Sequence, residues 1–571
     1  MVLWGCFNLW QRVTPNRFIN CHHVVMPTSE LSRPRWAWYP VIFLLLLCLT
    51  RGLWVTRGLQ SPAIMDTFRD AGFVQGIVDG NWFGDPEIAG AWRYYPPLVH
   101  TLFAAVCAVT GGAPLHVLMS AAPWINLIVP VGFFLMSRRL IGAEAAVFGL
   151  GLLVLFNGAV LPPWVTAAYH PWSSVPVLAL GGFFFSVWLI QARIHTGRAS
   201  DALLIGSAIG LVFLAHTVPA VILAFTVPVI AINVRGFSLK TLAWLALAGV
   251  VACVWSLPLL LPLWTSYRLH IVNTIPGSFI DPRFVSWPPS RGLLLMVLPG
   301  VLATPIIFCL RNELTLPRGT IAILAVWILL PILFLTRHYA CDVRSNAAVC
   351  TVFVLPVHHW YIYLQAALTC VAGLGAWLCF KHLQGVVVWR RVPGPAGYAL
   401  AAICCGAVLW LRPADDSLRQ RALFLDKFFD WDTYTWLRQH SAPSDMFVTE
   451  TLHESLNAAS VAVMAAGRSS VALPATYSNP YVDWESRNRR SLQYLSVVRD
   501  VSGAATPAIC TLLGEVGFGG HAYVILPNAR PISEVGLHAA SVGSINTIYR
   551  VVPDDCAFRG LMSSSVATRH D

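Results

Sequence analysis

Apolar residues in this chain come in long continuous runs, separated by short polar stretches, instead of the interrupted patterns of a water-soluble fold. The first run, Trp36 to Val55, has the length of about 20 residues that a helix needs to cross a bilayer. Arg12, Arg17, Arg33 and Arg35 precede it, so residues 1–35 read as a cytoplasmic lead into an uncleaved first helix. Met26 is an alternative start. Later runs predict spans near 116–136, 143–162, 172–190, 202–216, 218–234, 241–264, 291–310, 319–336, 360–380 and 393–411. That makes about eleven crossings. Leu98–Val109, set between Pro96-Pro97 and Gly111-Gly112, is too short to span and predicts an interfacial or re-entrant helix.

Basic residues fix the phase of this pattern. If Leu98–Val109 does not cross, Arg138-Arg139 falls inside, as do Arg193 with Arg198, Arg235 with Lys240, Arg311 with Arg318, and Lys381 with Arg390 and Arg391, as cytoplasmic loops prefer. The loop of residues 57–115 and everything after Leu411 are then outside. From Arg412 the pattern changes: no run of membrane length remains, and the spacing predicts helices over Asp430–His440 and His453–Ala466. It predicts extended segments at Met446–Thr449, Ser470–Leu473, Tyr523–Leu526 and Ile545–Val552, the mixture of a small α/β unit. The expected fold class is therefore a polytopic α-helical membrane protein, residues 36–411, followed by an extracytoplasmic α/β domain, residues 412–571.

Composition agrees. The 571 residues are 56% hydrophobic and 11% charged, where a soluble protein carries about a quarter. Net charge is +11, placed in loops where it favours anionic lipid; no basic domain with interleaved aromatics points to nucleic acid. Most of the 14 cysteines lie in apolar segments and behave as small packing residues. Cys341 with Cys350, and Cys510 with Cys556, fall outside the cytoplasm by this topology, where thiols can oxidise. No Gly-rich phosphate loop, GxSxG elbow or HExxH motif occurs, which leaves nucleotide-driven transport and common hydrolase chemistry without support.

Against so few charges, the segment Met65 to His100 stands out for Asp66, Asp70, Asp79, Asp85 and Glu87. Asp66 and Asp70 are four apart and share a helical face. Carboxylates beside a bilayer suggest chemistry or ion binding, the alternative being solvated loop residues.

The order of features here resembles the first outer loop of the GT-C membrane glycosyltransferases, in particular protein O-mannosyltransferases and lipid A aminoarabinose transferases. In those an acid after the first helix is followed by a Gly-x-Trp-like stretch and then an aromatic or basic residue before Pro-Pro-Leu. This chain has Asp66, Gly80-Asn81-Trp82 and Arg93-Tyr94-Tyr95-Pro96-Pro97-Leu98, with Thr67 where the family shows a second acid. The resemblance implies sugar transfer from a polyprenyl-phosphate carrier to a glycan, lipid or protein at the outer face of the cytoplasmic membrane.

Such transfer needs a base for the acceptor hydroxyl, cations for the leaving phosphate and a groove for the isoprenoid. Asp66 is the candidate base, with Asp70, Asp79, Asp85, Glu87, Trp82, Arg93, Tyr94 and Tyr95 forming the surrounding donor and acceptor loop. Arg268, Arg283, Arg337, His338 and Arg344 lie on the outer side against the positive-inside trend, as a phosphate site would require; interfacial snorkelling is the alternative. His170, His216 and His358, near outer ends of spans, are secondary candidates. A divalent metal held by Asp66, Asp70, Asp85 or Glu87 stays open, no spacing identifying one. A transporter or flippase of a lipid-linked or anionic substrate is the rival reading, and a ligase using a pyrophosphate-linked donor would share the architecture.

Overall fold

The computed structural model describes residues 37–88, 90–157, 166–273, 275, 291–309, 316–344, 357–384, 403–450, 457–499, 520–528 and 537–551, with the backbone alone at 291–296, 338–344, 357–358, 383–384 and 497–499. The membrane part comprises α1 (Trp38–Thr56), α2 (Asp66–Val78), α3 (Leu98–Thr110), α4 (Pro114–Ile125), α5 (Ile128–Ile141), α6 (Ala143–Leu155), α7 (Val175–Arg193), α8 (Ala199–Ala215), α9 (Thr217–Arg235), α10 (Leu239–Tyr267), α11 (Arg291–Cys309), α12 (Thr320–Arg344) and α13 (Val357–Gln384). Among the described residues, seven stretches are long and apolar enough to cross a membrane: α1, Pro114–Ile141, α7, α9, α10, Thr320–Arg337 and His359–His382. Side chains such as Leu46, Val250 and Leu333 are exposed on them, as lipid contact requires. The protein is a multi-pass membrane protein.

The sequence-based count of eleven is finer than the structure supports. The runs at 143–162 and 393–411 extend beyond the described residues, and α8 has 17 residues. The run at 116–136 is two helices, α4 and α5, with Pro123 one turn before the break and Asn126 at it. The Asn126 amide donates to the carbonyls of His170, at 2.7 Å, and Trp172, at 2.8 Å, so the interruption is held by the loop it faces. Helix α3 is short, as its length predicted, and ends where Gly111 takes a left-handed conformation (φ 67°), a backbone state that glycine enters without strain.

The membrane core is aromatic: Phe133, Phe134, Phe183, Phe184, Trp327, Trp360 and Tyr363 are all buried in one cluster. Phe183 meets Trp327 and Tyr363 edge-on at 4.9 and 5.2 Å, the offset geometry that aromatic quadrupoles favour.

The C-terminal part holds α14 (Pro413–Phe428), α15 (Trp431–His440), α16 (Ala458–Ala465) and α17 (Trp484–Arg499), with strands β1 (Met446–Val448), β2 (Ser469–Ser470), β3 (Ala522–Pro527), β4 (Leu537–Val542) and β5 (Asn546–Val551). The sheet order is β2-β1-β3-β5-β4, parallel from β2 to β3 and antiparallel from β3 to β4. Sequence reasoning placed α15, β1, β3 and β5 within a residue or two, and did not see α14, α17 or β4.

The sheet is joined to the segment between α1 and α4. Ile88 bridges in parallel to Ser470 of β2, with the Ser470 amide donating to the Glu87 carbonyl at 2.8 Å. One hydrophobic cluster contains Met65, Phe68 and Val74 of the loop together with Phe429, Phe447, Val463 and Tyr523. At Gly72 of α2 a Cβ would run into the Met464 carbonyl, so only glycine admits α16 this close.

Candidate functional site

Helix α2 starts at Asp66 after the buried run Ala63-Ile64-Met65. Two positions decide its chemistry: Asp66 and Asp70 flank Arg69, whose guanidinium lies 3.6 Å from the Asp66 carboxylate and 2.8 Å from that of Asp70. The planar guanidinium rests on the Tyr95 ring, 4.4 Å from its centroid, a contact worth more once water is excluded. Burial opposes charge on Arg69, but Asp70, Tyr95 and Asp66 raise its pKa well above the ordinary value.

The two acids differ. Asp70 is 1% exposed, and its Oδ1 also meets His100 Nε2 at 3.2 Å, while the other ring nitrogen faces the Pro96 carbonyl. Burial would raise its pKa; Arg69 and His100 together hold it below the usual carboxylate range. Asp66 keeps 35% of its side-chain surface open. The surrounding protein pushes its carboxyl up, Asp70 adding to this and Arg69 and Arg421 opposing it, and water at that opening limits the rise. Asp66 is thus an oriented, solvent-reachable carboxylate, and Asp70 a sealed anchor for the arginine that orients it.

Beside this triad sits a second acidic pair. Asp85 accepts from the Glu87 amide and from the Asn479 side chain, both at 3.0 Å, and burial lifts its pKa to about 6. Glu87 is 1% exposed and is pushed well above the usual range by burial and by Asp85. Arg93, 3% exposed, is drawn down to about 10 by burial, against Asp85 and Glu87; its Nη2 donates to the carbonyls of Asn81 and Phe73. Tyr94 and Tyr95 pack on Phe73, each with ring centroids 6.0 Å away.

The remaining candidates are dispersed. Asp79 is taken up by Arg468 at 2.6 Å and Gln75 at 2.8 Å. Trp82 is half exposed. His170 lies in another buried group, its Nε2 2.6 Å from Thr166 Oγ1, with the Arg412 charge and burial lowering its pKa. His216, at the break between α8 and α9, meets His359 edge-on at 4.4 Å. Arg337 closes the span of α12. Arg283, and the side chains of His338, Arg344, His358, Cys341, Cys350, Cys510 and Cys556, lie outside the described residues. Among the described residues, no three His, Cys, Asp or Glu side chains converge to hold a metal ion.

Sequence reasoning missed Arg69, His100, Asn479 and Tyr267. Arg69 was legible, being three residues after Asp66 and next to Asp70 on a predicted helix. His100 closes the same acid-rich segment, and Asn479 and Tyr267 come from distant ones. Tyr267 Oη accepts from the Trp92 amide at 2.7 Å and its ring stacks on Tyr481 at 5.2 Å, while the Val272 and Asn273 amides donate to the Pro480 carbonyl. The site is a junction of the segment between α1 and α3, the end of α10 and residues 475–481.

No protein-family model and no curated protein matches the chain. Among solved structures it is similar to ArnT from Cupriavidus metallidurans bound to undecaprenyl phosphate, with 13% identity, a TM-score of 0.51 and coverage of 91% of this chain and 99% of that one. The apo state of the same protein gives 12%, 0.50, 91% and 99%. The Archaeoglobus fulgidus oligosaccharyltransferase tethered with an acceptor peptide gives 12%, 0.49, 87% and 70%. The similarity to ArnT, over 91% of this chain and 99% of that one, gives this chain the fold of the GT-C membrane glycosyltransferases.

Proposed function

We propose that the protein is a glycosyltransferase of the cytoplasmic membrane, moving one sugar from a polyprenyl-phosphate carrier to a glycan, lipid or protein acceptor at the outer face, with its N-terminus inside and residues 412–571 outside as a separate domain. The observation that carries this reading is the open Asp66 carboxylate, held by a buried arginine at the start of a helix on the membrane part and walled by the C-terminal part. In the transfer step the acceptor oxygen bonds to the anomeric carbon as the bond from that carbon to the phosphate oxygen breaks. The electron pair leaves with the phosphate and the acceptor's proton passes to Asp66. Positive charge developing on the sugar ring is met by the same carboxylate.

The rest of the loop has supporting roles in this scheme. Asp70 and His100 fix Arg69, and Arg69 aims Asp66. Tyr94 and Trp82 offer aromatic faces to the sugar and Tyr95 backs the Arg69 guanidinium, while Asp85, Glu87 and Arg93 set the floor of the site. Arg337, with His338, Arg344 and Arg283, receives the carrier phosphate from the membrane side. The test is incubation of purified protein with a panel of radiolabelled polyprenyl-phosphate sugars. Transfer or sugar release by the wild type, absent in Asp66→Asn, supports the reading; inertness of the wild type toward every donor refutes it.

A further inference from the structure

Residues 166–174, between α6 and α7, form a loop in which every residue is buried. Loops avoid the interior because their backbone groups lose water there and need other partners. Here side chains from several elements supply them. The Asn126 amide, at the break between α4 and α5, donates to the carbonyls of His170 and Trp172 at 2.7 and 2.8 Å. Asn157, after α6, donates to the Ala167 carbonyl at 3.1 Å, and the Gln365 side chain of α13 accepts from the Ala167 amide at 2.7 Å. The Tyr169 hydroxyl donates to the Pro123 carbonyl at 2.8 Å, and it fills the space that a Cβ on Gly52 of α1 would need. The loop is thereby fixed to the membrane part from several sides.

The end of this loop meets the start of α2. Thr67, buried at 1% exposure, donates through its hydroxyl to the Ser173 carbonyl at 3.1 Å. Trp172, one residue earlier, packs in one cluster with Ala63 and Ile64. Asp66 therefore stands between two contacts made by residues 172 and 173, one just before it in the chain and one directly after. The rest of α2 is seated elsewhere: Phe68 stacks on Phe429 at 4.7 Å, and Gly72 lies against the Met464 carbonyl, both in the C-terminal part. Successive side chains of a helix diverge by a fixed angle of about 100°, so holding the Thr67 side chain also sets the direction in which Asp66 leaves the helix. Arg69 then orients the carboxylate itself.

We propose that Thr67 is a positioning residue, its bond to the Ser173 carbonyl holding Asp66 where the carboxylate meets the acceptor hydroxyl. This deepens the function proposed above and rests on it. Purified full-length wild type, Thr67→Val, Thr67→Ser, Asp66→Asn and the double variant of Asp66→Asn with Thr67→Val are compared for kcat, donor KM and thermal melting, using the polyprenyl-phosphate sugar that the wild type turns over. Thr67→Val keeps the shape of the side chain and removes its donor. Its kcat should fall by about 10- to 100-fold, the scale of a misplacement of about 1 Å, with donor KM near wild type, and Thr67→Ser should recover most of the loss. Because Thr67 acts through the Asp66 carboxylate, the double variant should be no slower than Asp66→Asn alone. A Thr67→Val protein with wild-type kcat overturns the assignment and leaves the glycosyltransferase reading intact. Losses that multiply in the double variant, or lowered melting with kcat of the folded fraction unchanged, would make Thr67 a packing residue and overturn it as well. If Thr67→Val does not fold, the smaller Thr67→Ala carries the same comparison. A wild type inert toward every donor removes both readings together.

Discussion

Two groups of arginines and carboxylates, each built on a buried arginine, differ in construction. In the first, Arg51 of α1 reaches Asp416 at 3.0 Å and Asp415 at 3.7 Å, and Arg412 reaches Asp415 at 3.6 Å. Arg412 and Asp415 are one helical turn apart, whereas Arg51 and Asp416 are 365 positions apart, so the Arg51 pairs tie the first membrane helix to the start of α14. In the second, Asp66, Arg69 and Asp70 are neighbours on one helix, and distant residues serve to close three sides around them. Asp415 is sealed, whereas Asp66 opens to solvent. A sealed ion pair holds segments together; an ion pair with one open carboxylate can also take a proton from something outside. Sequence alone does not separate the two, since each reads as acids and arginines beside apolar runs.

The sharpest break of this contrast is Asp66→Asn. It keeps volume and hydrogen bonding and removes the proton acceptor, so transfer should fall by about 10²–10⁴, with melting near wild type. Turnover within a few-fold of wild type would move the base elsewhere in the loop. The mirror change, Arg51→Gln, should leave the chemistry of surviving protein alone and cost about 3–5 kcal/mol of stability, because the buried Asp415 carboxylate loses a partner. Thermal unfolding in detergent measures it, and selective loss of kcat with unchanged melting would refute the structural assignment.

Gly72→Ala tests the joint between loop and C-terminal part. A methyl group against the Met464 carbonyl should cost about 1–3 kcal/mol and loosen α16 from α2, seen as faster hydrogen exchange in 458–465. Unchanged exchange there would mean that the helices separate without cost.

The smallest effect is in acid, and its sign differs between the groups. Asp70 has a folded pKa below its ordinary 3.8, so its stabilisation is complete above 3.8 and is lost as pH falls through the lowered value. Asp415 has a folded pKa above 3.8, raised by burial against Arg412 and Arg51, so protonation between that value and 3.8 favours the folded state as pH falls. Melting followed from neutral pH downward should therefore decline less steeply below pH 3.8 in Asp70→Asn than in wild type. Asp415→Asn should lose the gain above pH 3.8. Identical profiles in all three proteins would remove the distinction.

Length and hydropathy were enough to identify a multi-pass helical protein, because burying backbone polar groups in lipid forces long apolar helices. The failure of Leu98–Thr110 to reach span length and the acid-rich segment after α1 were equally legible, and so was the helical pairing of Asp66 and Asp70. The tertiary structure decided which acid is open and which is sealed, since that depends on His100, Tyr95 and the C-terminal residues that fold over α2. It turned Asp79 toward Arg468, set His170 beside Arg412, and brought Asn479 to Asp85 across 394 positions. Local spacing sets which side chains share a helix face, but exposure and charge partners are properties of surfaces that meet only after the chain has folded.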